Sequence, residues 1–148
     1  MHLSGMKWLV PVLLCATLAA CTNSKENQCA TLRKAIRTEM ATTKEIAAKL
    51  RDPVALSAHA EFLKATIAEL RKLQIEDAAL GHAVATYLNA VTKLAEGYQK
   101  AAEGLKLLAK GDYQAAGDKM PGAGSGLVIY GTIVDSSRIH IADECNKP

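Results

Sequence analysis

The sequence predicts an all-α fold, an up-down-up-down bundle of four helices, on three observations. Apolar residues recur at steps of three and four through most of the chain after residue 28. Asp, Pro and Gly interrupt that pattern at a few well-separated places. One cysteine, Cys29, opens the patterned region and another, Cys145, closes it.

The first helix is predicted from Cys29, Leu32, Ile36, Met40, Thr43, Ala47 and Leu50, which share one helical face. Asp52-Pro53 ends it and opens the second, with Asp52 as N-cap and Pro53 at the first helical position. Leu56, Ala60, Leu63, Ile67 and Leu70 form the second stripe. A single helix from Pro53 to Lys110 would be about 87 Å long at 1.5 Å per residue, too long for its neighbours to cover. A turn at Gln74 to Asp77 gives two helices of ordinary length and keeps Asp77 off the apolar seam.

The third stripe is a heptad seam: Leu80, Val84, Tyr87, Val91, Leu94, Tyr98, Ala101, Leu105 and Leu108. Beside it run Ala83, Ala90, Gly97 and Gly104, seven apart, with Ala95, Ala102 and Ala109 on the other flank. Each helical glycine costs about 1 kcal/mol relative to alanine, so this column points to close approach of a neighbouring helix. The outer face carries Lys93, Glu96, Lys100, Glu103 and Lys106, a solvated pattern. Gly111-Asp112 closes the helix. The last helix is predicted to be interrupted near 121–126, where Pro121 and Gly122, Gly124 and Gly126 gather. Leu127 to Val134 has a strand-like composition. It is assigned to helix, because Leu127, Tyr130, Val134, Ile141 and Cys145 share a helical face and a lone strand would have no partner.

The N-terminus reads as an address. Lys7 precedes a thirteen-residue apolar run, Trp8 to Ala20, short of the roughly twenty residues that span a bilayer. Met6 serves as a start as well as Met1. Leu18-Ala19-Ala20-Cys21 resembles the lipobox of bacterial lipoproteins, whose signal peptide is cleaved before the cysteine. The resemblance implies a signal peptide at 1–20 and lipidation of Cys21, with acyl chains such as palmitate holding the protein to membrane lipid. Thr22, in place of the Asp that retains enterobacterial lipoproteins at the inner membrane, implies the outer membrane, facing the periplasm. Residues 21–28 are then the lipidated cysteine and a polar tether, and 29–148 the bundle. The mature pattern also weakly resembles small alanine-rich helical-bundle lipoproteins, a likeness that carries no activity.

Processing leaves 17 basic against 15 acidic residues, a balance that gives no reason to expect nucleic acid as a partner. It also leaves Cys29 and Cys145 in an oxidising compartment, where a disulfide is the natural pairing. An even number of antiparallel helices brings the first N-terminus and last C-terminus to one end, as the bond requires.

No catalytic, cofactor or metal site is predicted. There is no C-x-x-C-H for haem and no Glu-x-x-His pair for di-iron among the helices. Met40 and His140 would sit about 9 Å apart along the bundle axis, which excludes an axial pair. His59, His82 and His140 read as solvated. The glycines at 122–126 lack the Lys-Ser/Thr of a phosphate loop. Ser125, Ser136 and Ser137 have no histidine and acid arranged around them. Tyr87 and Tyr98 are expected in the core with hydroxyls reaching its edge. The expectation is therefore a non-enzymatic structural or protein-binding module with an unidentified protein partner. The alternative is a carrier of a small apolar ligand in a cavity between helices.

Overall fold

Helices in this chain begin where the sequence supplies an oxygen for their free amides. The computed structural model describes residues 24–148. Helix α1 (Lys25–Ala47) starts at Ser24, whose hydroxyl accepts from the Asn27 amide. Helix α2 (Pro53–Leu70) starts at Asp52, which accepts from Val54 and Ala55. Helix α3 (Ala78–Ala109) starts at Asp77, which accepts from Ala79 and Leu80. Helix α4 (Tyr113–Lys119) starts at Asp112, which accepts from Ala115. Each carboxylate satisfies orphan N–H groups and faces the positive end of its helix. The Asp77 acid is correspondingly held below its usual range, by the Leu80 amide first and by Lys25 next. Gly111, at φ 78°, takes the left-handed turn that ends α3.

Helix α5 (Pro121–Asn146) has no side-chain cap and begins at a bend at Met120. The interruption expected near 121–126 is this bend, and 121–126 are themselves the first turns of α5. Proline at the first helical position gives up an N–H that the helix does not use, so Pro121 starts α5 rather than breaking it. Helices α4 and α5 together form the fourth leg, and no strand occurs among the described residues. Helix α1 starts four residues before the expected boundary of the bundle, so Lys25 to Gln28 belong to it and not to a tether. Gln28 fixes this turn by donating from Nε2 to the Gln74 carbonyl at 2.7 Å.

The legs run up, down, up and down. Helix α3 packs against α2 on one side and most extensively against α5 on the other, with α1 beside α2 and α5 and diagonally opposite α3. At thirty-two residues α3 is the longest single helix among the described residues. Its C-terminal part is covered by α4 and Met120. The column of small residues lies where close approach was predicted: Ala83, Ala90, Gly97 and Gly104 are all buried. A Cβ on Gly97 would stand 3.2 Å from Leu127, and one on Gly104 would stand 2.6 Å from Met120. The inward face of α5 follows the predicted stripe, with Val134 and Ile141 fully buried and Leu127 and Tyr130 half-buried.

The stripe on α1 departs from expectation from its middle onward: the helix ends at Ala47, Ala47 and Leu50 are exposed, and Ile46 is buried in their place. Leu32 and Ile36 are buried as predicted, but Met40 is 50% exposed and the fully buried residue is Glu39.

Candidate functional site

The disulfide is present. Cys29 near the start of α1 and Cys145 near the end of α5 are bonded, with 5.7 Å between their Cα atoms. Around it the ends of the legs are tied by polar contacts. Lys25 pairs with Asp77 at 3.1 Å, and the Arg33 guanidinium donates to the Cys145 carbonyl and the Asn146 side chain. Cys21, the expected lipidation site, lies outside the described residues.

Glu39 enters the middle of the bundle because it stands three residues after Ile36 on the face that α1 turns inward. Its Oε2 accepts from Arg138 of α5 and, at 3.5 Å, from the hydroxyl of Tyr87 on α3. Its Oε1 accepts from Thr43 at 2.8 Å. His59 of α2 lies 3.4 Å from the Thr43 oxygen. Thr43 has one hydroxyl hydrogen, already given to Glu39, so His59 must donate its Nε2–H. The network thus touches all four legs, and a slip of any leg by one turn, 5.4 Å, would break it. Arg138 also pairs with Asp135, and its Nε is the one buried side-chain polar atom without a partner among the described residues.

This cluster corrects two expectations. The Tyr87 hydroxyl does not reach the edge of the core: it is fully buried, and burial first, then Glu39, pushes it well above the usual phenol range. His59 is not solvated. It is 6% exposed, edge-on to Tyr98 with ring centroids 4.7 Å apart and stacked near Phe62. Burial lowers its pKa below the ordinary imidazole value, and Glu39 opposes the shift. Nothing in the cluster offers a cavity to a substrate.

Two surfaces have the character of binding faces. The first is a groove of about 620 Å³ between α1 and α2, floored by Ala35, Phe62, Ala65, Leu70 and Leu73 and rimmed by Lys34, Glu69 and Lys72. Ala35 of α1 and Ala65 of α2 are the small side chains of its lining. Helix directions place it on the disulfide half of the bundle. The second is the outer face of α5: Ser125, Val128, Ile129, Thr132, Ser136 and Ile139 are exposed, and the charge among them is Asp135, paired with Arg138 of the same helix. Val128, Ile129 and Ile139 are 72%, 55% and 63% exposed. Residues 121–134 contain no charged side chain at all.

His82 and His140 are exposed and line a third depression with Glu144. Among the described residues no three His, Cys, Asp or Glu side chains gather as a metal site, and no helix is long and apolar enough to cross a membrane. The signal for the α5 face was legible as the charge-free run. The groove left no sequence signal, since it depends on how far two helices stand apart. No protein family, curated protein or solved structure matches this chain.

Proposed function

We propose that the protein is a lipoprotein anchored through Cys21 to the periplasmic face of a membrane, the outer membrane by its Thr22, and that its bundle docks another protein along the outer face of α5. The anchor rests on the lipobox. The docking function rests on one observation: a solvent-facing helix surface with exposed Val128, Ile129 and Ile139, whose charge-free part runs through residue 134 and whose Asp135 is paired with Arg138 of the same helix. Helix α3 shows what an ordinary outer face looks like in this chain, with Lys93, Glu96, Lys100, Glu103 and Lys106. Contiguous apolar surface of this kind marks an interaction site. Interfacial membrane helices carry Lys and Arg beside their apolar face, which the 121–134 stretch lacks, so the bilayer is the poorer match. In this reading the protein is a binding module, not an enzyme, and nucleic acid is not its partner.

Two experiments test it. Labelling cells with a fatty acid should mark the wild type and not Cys21→Ser. A photoreactive residue at position 129 should give a discrete protein adduct in cells, abolished by Val128→Glu, whereas one at position 100 should give none. Equal adducts from both positions, or none from 129, would remove the docking reading.

A second reading, a carrier of a small apolar ligand, is favoured by the groove between α1 and α2. Its volume lies within the range of about 300–1,000 Å³ usual for small-molecule sites.

A further inference from the structure

The carrier reading leaves the ligand unnamed, and the lining of the groove narrows it. We propose that the groove binds a single alkyl chain ending in a carboxylate, a free fatty acid of about twelve carbons. The inference rests on the carrier reading and assigns its ligand.

The interior of the groove has no hydrogen to give. The threonines that line it, Thr31, Thr38 and Thr66, each donate their hydroxyl hydrogen to a carbonyl of their own helix, those of Asn27, Lys34 and Phe62, at 3.0, 3.1 and 3.0 Å. They present methyl groups and lone pairs to whatever lies between α1 and α2. A hydrogen-bond-accepting group would find no donor there, and the rest of the lining between the helices, Ala35, Phe62, Ala65, Leu70 and Leu73, is apolar. The occupant is therefore apolar along its length, with any polar head at the rim.

The rim sets the charge of that head. Lys72 is already held by Glu69 at 2.6 Å. Lys34 lines the groove and has no ion pair among the described residues. One uncompensated cation on an apolar groove matches one anionic head, and a cationic amphiphile would meet repulsion.

Size excludes bulkier occupants. Along α2 and the turn that follows it, the lining runs from Phe62 to Leu73. At 1.5 Å per residue that is roughly 16 Å. A carbon chain advancing about 1.3 Å per bond covers it with about twelve carbons. A diacyl lipid would have to leave one of its chains outside.

Photo-crosslinking on the full chain in its membrane tests this. Three diazirine probes share the same labelled chain: a twelve-carbon carboxylate, the matching alcohol, and a diacyl phosphatidylglycerol. The carboxylate should label residues 31–38 and 62–73 at least fivefold more than the alcohol or the diacyl probe does. Ala65→Phe, which fills the groove, should cut that labelling about tenfold. Lys34→Glu, at an exposed position where the fold is not at risk, should cut it about as much with helical content unchanged. Equal labelling by the alcohol overturns the carboxylate assignment and leaves an apolar carrier standing. Stronger labelling by the diacyl probe overturns the single-chain assignment. Labelling of the groove no greater than that of the α5 outer face removes both the inference and the carrier reading.

Discussion

Helices α3 and α5 meet by shape, whereas α1 joins the bundle by directed bonds. On the α3/α5 side Ala83, Ala90, Gly97 and Gly104 recede and larger side chains such as Leu127 and Met120 fill the space. On the α1 side the buried apolar residues are few, Cys29, Leu32, Ile36 and Ile46. The rest of the attachment is the disulfide, the Glu39–Arg138 pair, the Lys25–Asp77 pair and the Gln28–Gln74 bond. Alanines occur at both contacts, yet one is closed and the other holds a groove. Small residues permit close approach without causing it; a complementary large residue must arrive to make the contact tight.

The sharpest way to break this contrast is to remove the covalent fastener. The loop it closes spans 116 residues in sequence. Chain-entropy treatment then gives about 4–5 kcal/mol of stabilisation. Cys29→Ser with Cys145→Ser should lower the urea midpoint accordingly, keep helical content, and release amide protection in α1 before α3. Unchanged protection in α1 would mean that packing holds it after all. Next, Glu39→Leu should cost about 3 kcal/mol, because Arg138 loses its buried partner. Adding Arg138→Met should restore most of that loss, and failure to restore it would show that the carboxylate's bonds to Tyr87 and Thr43 dominate.

Glycine substitutions probe the other side of the contrast. A Cβ at Gly124 meets nothing within 4 Å, whereas one at Gly97 crowds Leu127. Gly124→Ala should stabilise by about 1 kcal/mol, and Gly97→Ala should gain little or nothing in the same denaturation assay. Equal gains would mean the α3/α5 seam has slack. The smallest effect is a slope with pH. Burial sets the folded-state pKa of His59 below its ordinary value of 6.5, with Glu39 opposing. The unfolded chain therefore takes the proton more readily. The stabilisation is complete above about pH 6.5 and is lost as pH falls through the folded value. Stability of the wild type should decline below pH 6.5, and His59→Leu should remove that part of the decline.

Periodicity made much of this fold legible. The α3 seam, the turn before Asp77, the Asp52-Pro53 junction and the cysteine pair all follow from spacing and from chemistry local to a few residues. The helical state of Leu127 to Val134 was also readable, because its inward residues kept helical spacing despite a strand-like composition. The centre was not. From Ile36 the next inward position is either Glu39 or Met40, at steps of three or four, and polarity argued for Met40. Arg138 and Tyr87, from distant parts of the chain, make the carboxylate the better occupant. His59 was misread for the same reason: its burial is decided by Thr43, Phe62 and Tyr98 closing around it. The bend at Met120 was anticipated in kind and displaced by a residue or more, since proline can start a helix as well as stop one.

The bond between Cys29 and Cys145 also changes what a protease can do. With the first and last helices joined, the backbone from 29 to 145 is a closed ring. A single cut in any connection, such as the 48–52 turn or the stretch at 110–112, opens the ring without dividing the molecule. Both pieces stay covalently attached to the segment that precedes Cys29. A bundle nicked once therefore runs as one band without reductant and as two with it, and sheds no fragment until a second cut is made.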